Sequence, residues 1–267
     1  MKHRKDKQKV EHIFNMRERG DSMSDITVIL TVWKRNNLSE QLERIIRQTE
    51  KPNRIIIFQN ESHLIVDIPE DIKIKHNIQM VQSKDFNFKF HGRFTLPLII
   101  DSEYCAIFDD DTMPNENWLK NCLETSKRLN CIVGANGRSI SKEGDYLNFG
   151  DGAAVEQETK VDFVGHCWFF KTEWIRNMWR DKHFSYENGE DIHLAASCKV
   201  YQNIDCYVPR MSIEDKSYWG DTNAWLGMDE HASYKKNNHT ETRNNIIESW
   251  VEKGWKLTQN TDISLIN

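Results

Sequence analysis

Residues 104–119 read YCAIFDDDTMPNENWL, and the order of residue types in this stretch decides the fold. Tyr104 to Phe108 form a short apolar run with the character of a buried strand. Asp109, Asp110 and Asp111 follow at once. A helix is then expected from about Asn115 to Leu129, with Trp118, Leu119, Cys122 and Leu123 inward. In an open α/β sheet, ligands gather beyond the carboxyl ends of the strands, which is where the acids fall. Adjacent carboxylates repel and raise one another's pKa. A divalent cation removes that cost, and Mg²⁺ or Mn²⁺ takes hard oxygen ligands shared between carboxylates and substrate phosphates. In an extended segment Asp109 and Asp111 project to the same side and can face one ion. The competing reading is a solvated acidic turn in which an aspartate caps the next helix.

Working outward, Ile26 to Val32 (ITVILTV) is an apolar, β-branched strand. Asn37 opens a helix in which Glu40 completes a capping box, and Leu38, Leu42, Ile45 and Ile46 make one apolar stripe. Pro52 ends the connection, and Arg54 to Phe58 is the next strand, so the two pair in parallel around a crossover helix. Further strands are expected at residues 78–81, 131–134, 161–170 and 207–208. Further helices are expected at 94–100 (limited by Pro97), 172–179, 191–199 and 244–253. The stretch from Gly134 to Gly152 is rich in Gly, Asp, Ser and Asn; it reads as a mobile loop or a loosely paired hairpin. No internal repeat interrupts this pattern, so one α/β domain with a mixed sheet is the economical reading. Its bounds are 24–235, after a basic arm over 1–23 and before a C-terminal extension with a helix over 236–267.

Composition narrows the function classes. The 267 residues are 38% hydrophobic, a soluble globular composition. The net charge of −5 gives no general attraction for nucleic acid. The Lys- and Arg-rich N-terminus reads as a solvated arm, with peripheral contact to a membrane surface as the functional alternative. No run approaches the length of a transmembrane segment and no hydrophobic signal core opens the chain. Six cysteines without C-x-x-C spacing read as free thiols in a reducing, cytoplasmic setting. The nine tryptophans are core residues or walls for flat, sugar-like ligands.

Three other stretches offer chemistry. In YENGEDIHLAASCK, residues 186–199, Glu190 and Asp191 start a helix after a glycine. They either cap that helix or supply a general base for an acceptor hydroxyl. In VDFVGHCWFFKTEW, residues 161–174, Gly165 permits close backbone approach, and His166 and Trp168 either flank an acceptor or belong to a buried strand. His231 and His239 lie in a polar loop from which either could reach a pyrophosphate or complete a metal shell.

Taken together these motifs resemble the GT-A fold glycosyltransferases, Rossmann-like nucleotide-diphospho-sugar transferases with a mixed central sheet. Within them the exostosin-like and family-2-like groups are nearest. The resemblance runs from Ile26 to about Arg210. It rests on VILTVWKRNN, IIIFQNES, HGRFTLP, FDDDT and GEDIHL in that order. It implies Thr31, Trp33 and Arg35 near the nucleotide base, Asn60 at base or ribose, Arg93 at the donor, and Asp109 and Asp110 at ribose and donor sugar. It implies Asp111 as the principal metal ligand and Asp191 as the catalytic carboxylate; the reading of the residues themselves adds Asp109 and His231 as candidate metal ligands and Glu190 as a candidate base. The cofactor expected is Mn²⁺ or Mg²⁺; the donor is a nucleotide sugar, UDP by resemblance; the acceptor is a glycan or other hydroxyl. Family-2 enzymes invert and exostosin-like enzymes retain, and the motifs lie between them. Gln59 stands for the first Asn of the exostosin W-N-N, and Gly189 for the cysteine before Glu190. Two other classes share the pattern: a nucleotidyltransferase, disfavoured because VWKRNN lacks glycine, and a non-catalytic sugar-nucleotide-binding protein.

Overall fold

The computed structural model describes residues 25–61, 63–235 and 237–259; the basic arm expected over 1–23 lies outside them. The strands are β1 (Ile26–Val32), β2 (Arg54–Asn60), β3 (Ile78–Ser83), β4 (Tyr104–Phe108), β5 (Ile132–Ile140), β6 (Tyr146–Gly150), β7 (Thr159–Val161), β8 (Phe163–Lys171) and β9 (Cys206–Val208). The helices are α1 (Leu38–Ile46), α2 (Glu70–Lys75), α3 (Trp118–Leu129), α4 (Ile175–Met178), α5 (Glu190–Gln202) and α6 (His239–Glu252).

All nine strands join one sheet in the order β3-β2-β1-β4-β8-β5-β9-β7, with β6 on β5. The first four are parallel, as the β1–α1–β2 crossover requires. β8 then enters antiparallel between β4 and β5. The result is the mixed central sheet expected of the α/β reading. β1 and β4 are buried throughout, because helices cover both faces of a sheet interior.

Several boundaries differ from the sequence reading for physical reasons. The Gly134–Gly152 stretch is an ordered β5–β6 hairpin, with Asn136 paired to Gly150 and Ile140 to Tyr146. The expected strand at 131–134 therefore extends to Ile140. α3 begins at Trp118, not Asn115, because the 115–117 backbone bonds elsewhere: Asn115 N donates to Trp219 O and Asn117 N to Ser217 O. Around Pro97 the chain forms a 3₁₀ helix over Lys89–Ile99. α5 is buried on every side from Glu190 to Cys198, the pattern of a helix inside a core. Its first carboxylates are thereby fixed in place. α6 lays Ile246, Ile247 and Trp250 into the same core. All six cysteines are free and buried. Among the described residues no helix is long and apolar enough to cross a membrane.

Candidate functional site

After Phe108 the chain turns instead of continuing as a strand: Thr112 N donates to Asp109 O at 3.2 Å. The expected extended geometry of Asp109 and Asp111 is therefore absent. The turn is held from three directions. Asp109 N donates to His166 O (3.0 Å). The Gln41 amide donates to Asp109 O (2.6 Å) and Thr112 O (2.8 Å). The Asn37 amide donates to Asp110 O (3.0 Å). Asn37 makes no side-chain cap for α1, so the expected capping box is not formed; its amide supports the acid turn instead.

Three arginines balance the acids. Arg35 Nη1 bridges Asp110 Oδ1 (2.6 Å) and Asp111 Oδ2 (3.0 Å). Its Nε and Nη2 make a fork on Asp229 (2.7 and 2.8 Å), the bidentate geometry that only a guanidinium supplies. Arg93 is buried between Asp109 and Glu190, with Nη2 at 2.9 Å from Glu190 Oε1. It also stacks over Trp168 at 4.8 Å. Arg243, from α6, makes a second fork on Asp191 (3.0 and 2.7 Å). Gly189 precedes these acids at φ +80°, and a Cβ there would lie 2.3 Å from Ile246 Cδ1. Both facts favour glycine at this position.

The titrations follow from this packing. Burial raises the pKa of Asp109, Asp110 and Asp111, with Arg93 easing Asp109 and Arg35 easing Asp110. For Asp111 the neighbouring Asp109 charge adds to burial before His166 and Arg35 relieve it. Burial and then Asp191 lift Glu190 to about 7, against the pull of Arg93. Burial opposes charge on His166, but the contact to Asp221 (3.3 Å) and the fields of Asp111 and Asp109 prevail and lift it to about 9. His166 holds φ +63°, an uncommon backbone state that marks functional sites more often than ordinary strands. Its ring contacts Asp221 and lines the same cleft as Trp168.

One cleft of about 510 Å³ is lined by Thr31, Trp33, Arg35, Asn60, Arg93, Asp109, Asp110, Asp111, Glu190, Asp191 and His231. Every residue singled out from the sequence for donor, metal or catalysis thus faces one space. Thr31 Oγ1 is buried with no hydrogen-bond partner. Asn60 is engaged with the 87–89 turn, donating to Asn87 Oδ1 and Lys89 O and accepting from Phe88 N. His231 packs edge-on against Trp33. His239 lines the cleft near Asn188, 2.9 Å from that amide. Gly165 borders the cleft, and a Cβ there would touch nothing, so the close backbone approach expected of it is not made within the chain.

The carboxylates fit a divalent cation. They present hard oxygens to a cleft, and arginine only partly relieves their mutual repulsion. Asp111 and Asp109 are the residues that would hold it; among the described residues the acids of the turn do not bring three ligand oxygens together. Gly227 lies so close to Asp111 Oδ2 that a Cβ would sit 2.7 Å away, so the loop over Asp111 is tightly fitted. A cation on Asp111 competes with the Arg35 guanidinium already there.

Sequence reasoning missed Asp221, Asp229 and Arg243. No spacing or periodicity marks them; Arg35 and Asp229 are 194 residues apart. The only faint signal was the polar composition of the region after Pro209.

No family model matches this sequence, and no curated protein matches it. Among solved structures, the chain is similar to the crystal structure of S. aureus TarS, at 13% identity and a TM-score of 0.48, over 85% of this chain and 43% of that one. The chain spans less than half the length of that protein.

Proposed function

We propose that this protein is a GT-A glycosyltransferase of the exostosin-like or family-2-like kind. It moves a sugar from a nucleotide-diphosphate donor, a UDP-sugar, to a hydroxyl acceptor such as a glycan. The observation that carries this reading is the pairing of two walls across one cleft: the acid turn after β4 on one side, and Glu190 with Asp191 at the start of α5 on the other.

The residues divide the work as follows. Trp33 and the unpartnered Thr31 hydroxyl receive the nucleotide base, the hydroxyl supplying a hydrogen bond it lacks within the protein. Asp109, Asp110 and Asp111 hold the donor end. Mn²⁺ or Mg²⁺ at Asp111, when bound, supplies positive charge to the departing diphosphate. Arg35 and a protonated His166 add fixed positive charge on the same side, preorganised where the charge of the leaving diphosphate develops. Across the cleft, Asp191 accepts the proton of the acceptor hydroxyl. Arg243 fixes both of its oxygens and so sets the direction from which the acceptor approaches. Glu190 keeps Arg93 in place beside Asp109. The buried free thiols fit a reducing compartment.

The test is a screen of nucleotide sugars for hydrolysis dependent on Mn²⁺ or Mg²⁺. Release of a nucleoside diphosphate from one of them, abolished by EDTA and restored by the metal, is the expected outcome. Release of pyrophosphate instead would make the protein a nucleotidyltransferase. Donor binding without turnover, unchanged in Asp191→Ala, would make it a binding module.

A further inference from the structure

The sheet order ends at β3 on one side and at β7 on the other. An end strand offers a row of main-chain donors and acceptors to other chains, and proteins blunt it with brevity, charge or proline. β7 is blunted: it has three residues, and Lys160 is the middle one. β3 is not. Its six residues read IQMVQS, without charge, proline or glycine. Gln79 and Met80 are exposed.

The pairing with β2 shows which groups face out. Asn77 O accepts from Ile55 N at 3.2 Å, and successive residues of a strand direct their main-chain groups to alternate sides. Gln79 and Val81 therefore turn toward β2, while Ile78 and Met80 turn N–H and C=O to the open side. Among the described residues no backbone bond reaches Met80 from that side.

α2, the crossover helix before β3, is also unpartnered. None of its six residues is buried, and so short a helix is marginal without packing. Ile74 on α2 is 62% exposed, and Ile65 in the segment before it 99%. The charges of α2 are segregated: Glu70 and Asp71 in the first turn, Lys73 and Lys75 in the last. The bland account is an edge that meets water. It gives no reason for an uncharged strand and a bare apolar helix to lie side by side. A helix that starts acidic and ends basic is complementary in charge to an antiparallel copy of itself.

We propose that the edge of β3 pairs with the same edge of a second copy of this chain, giving a two-fold dimer with one continuous sheet. The axis stands perpendicular to the sheet at Met80. Met80 and the partner's Met80 exchange both of their N–H···O bonds as an antiparallel pair, and their exposed side chains meet on one face. The same axis sets the two α2 helices antiparallel over one face, the acidic end of each toward the basic end of the other. Such an interface is isologous and closes on itself. Each cleft lies at the carboxyl ends of its own strands, so the two clefts face opposite ways. The dimer does not rest on the glycosyltransferase reading.

The experiment runs the untagged full chain by sedimentation equilibrium and by gel filtration with light scattering over a range of concentrations. We expect twice the chain mass, falling to the chain mass on dilution. Met80→Pro removes an N–H that β2 does not use, so circular dichroism should be unchanged while the dimer is lost. Met80→Lys should lose it as well, because like charges then oppose each other across the axis. A charge exchange on α2 leaves β3 intact and decides the matter if the Met80 variants misfold. One chain carries Lys73→Glu with Lys75→Glu, and another carries Glu70→Lys with Asp71→Lys. Each alone should dissociate at least about tenfold more readily than the parent, since like charge meets like, and an equimolar mixture should recover the dimer. A monomer at every concentration overturns the proposal. So does a dimer that neither the Met80 variants nor the charge exchange alters, or a mixture that associates no better than its components.

Discussion

The two walls of the cleft are built by different means. The acid turn is held through its backbone: Asn37, Gln41 and the His166 carbonyl all grip main-chain atoms. Its shape therefore survives the loss of any one carboxylate. The opposite wall depends on charge. Asp191 is positioned by one arginine from a helix 52 residues further along the chain. The first wall should lose chemistry without losing structure, and the second should lose both together.

The sharpest way to break this contrast is Asp111→Ala. Transfer should fall by at least about 10²–10³-fold, the range seen when one preorganised electrostatic group is removed, while Tm and circular dichroism stay near those of the parent. Retained activity at ordinary metal concentration would remove Asp111 from the donor site. Arg243→Gln is the counterpart. It strands a buried carboxylate, so urea denaturation should show a loss of about 3 kcal/mol. Adding Asp191→Asn should return much of that stability and none of the activity. A single variant as stable as the parent would show that the ion pair does not hold this wall.

A subtler difference is in pH. The folded Glu190 titrates near 7, against 4.5 for the free group. Between these values the native state keeps a proton that the unfolded chain has lost, so this group's contribution is full below 4.5 and is lost as pH rises to 7. Glu190→Gln should flatten the slope of stability against pH in that window, measured by urea titrations at several pH values; an unchanged slope refutes the assignment. The smallest effect is expected from Asp229→Asn. Its side chain is 36% exposed, so solvent screening holds the stability cost to within about 1 kcal/mol. The change should be visible in the KM for donor, because Arg35 is freed, more than in kcat.

The contrast also explains what could be read from the sequence. The parallel half declares itself through local signals: β-branched runs for β1 and β2, one apolar stripe for α1, and an acid cluster after β4. Each is decided within a few residues. The antiparallel insertion of β8 was not legible, because its pairing with β4 and β5 is set by contacts far apart in sequence and not by its own alternation. Asn37 shows the limit of local rules: its capping signal was clear, and a tertiary partner at Asp110 overrode it. Glu190 and Asp191 were visible as a motif, but their counter-ions at Arg93 and Arg243 were not. Their roles beside the acids are proposals for the variants above to test.

The six cysteines give the molecule one further property. Burial raises every thiol, Cys131 and Cys198 to about 12 and the others by burial in the same direction. Thiolate is the reactive species, so the native protein is inert to alkylating reagents and mild oxidants at neutral pH. Only molecules that have opened can be modified, and the rate at which an added dye labels them is a direct clock for opening of the core, in the sheet at Cys105, Cys167 and Cys206 and under the helices at Cys122 and Cys198.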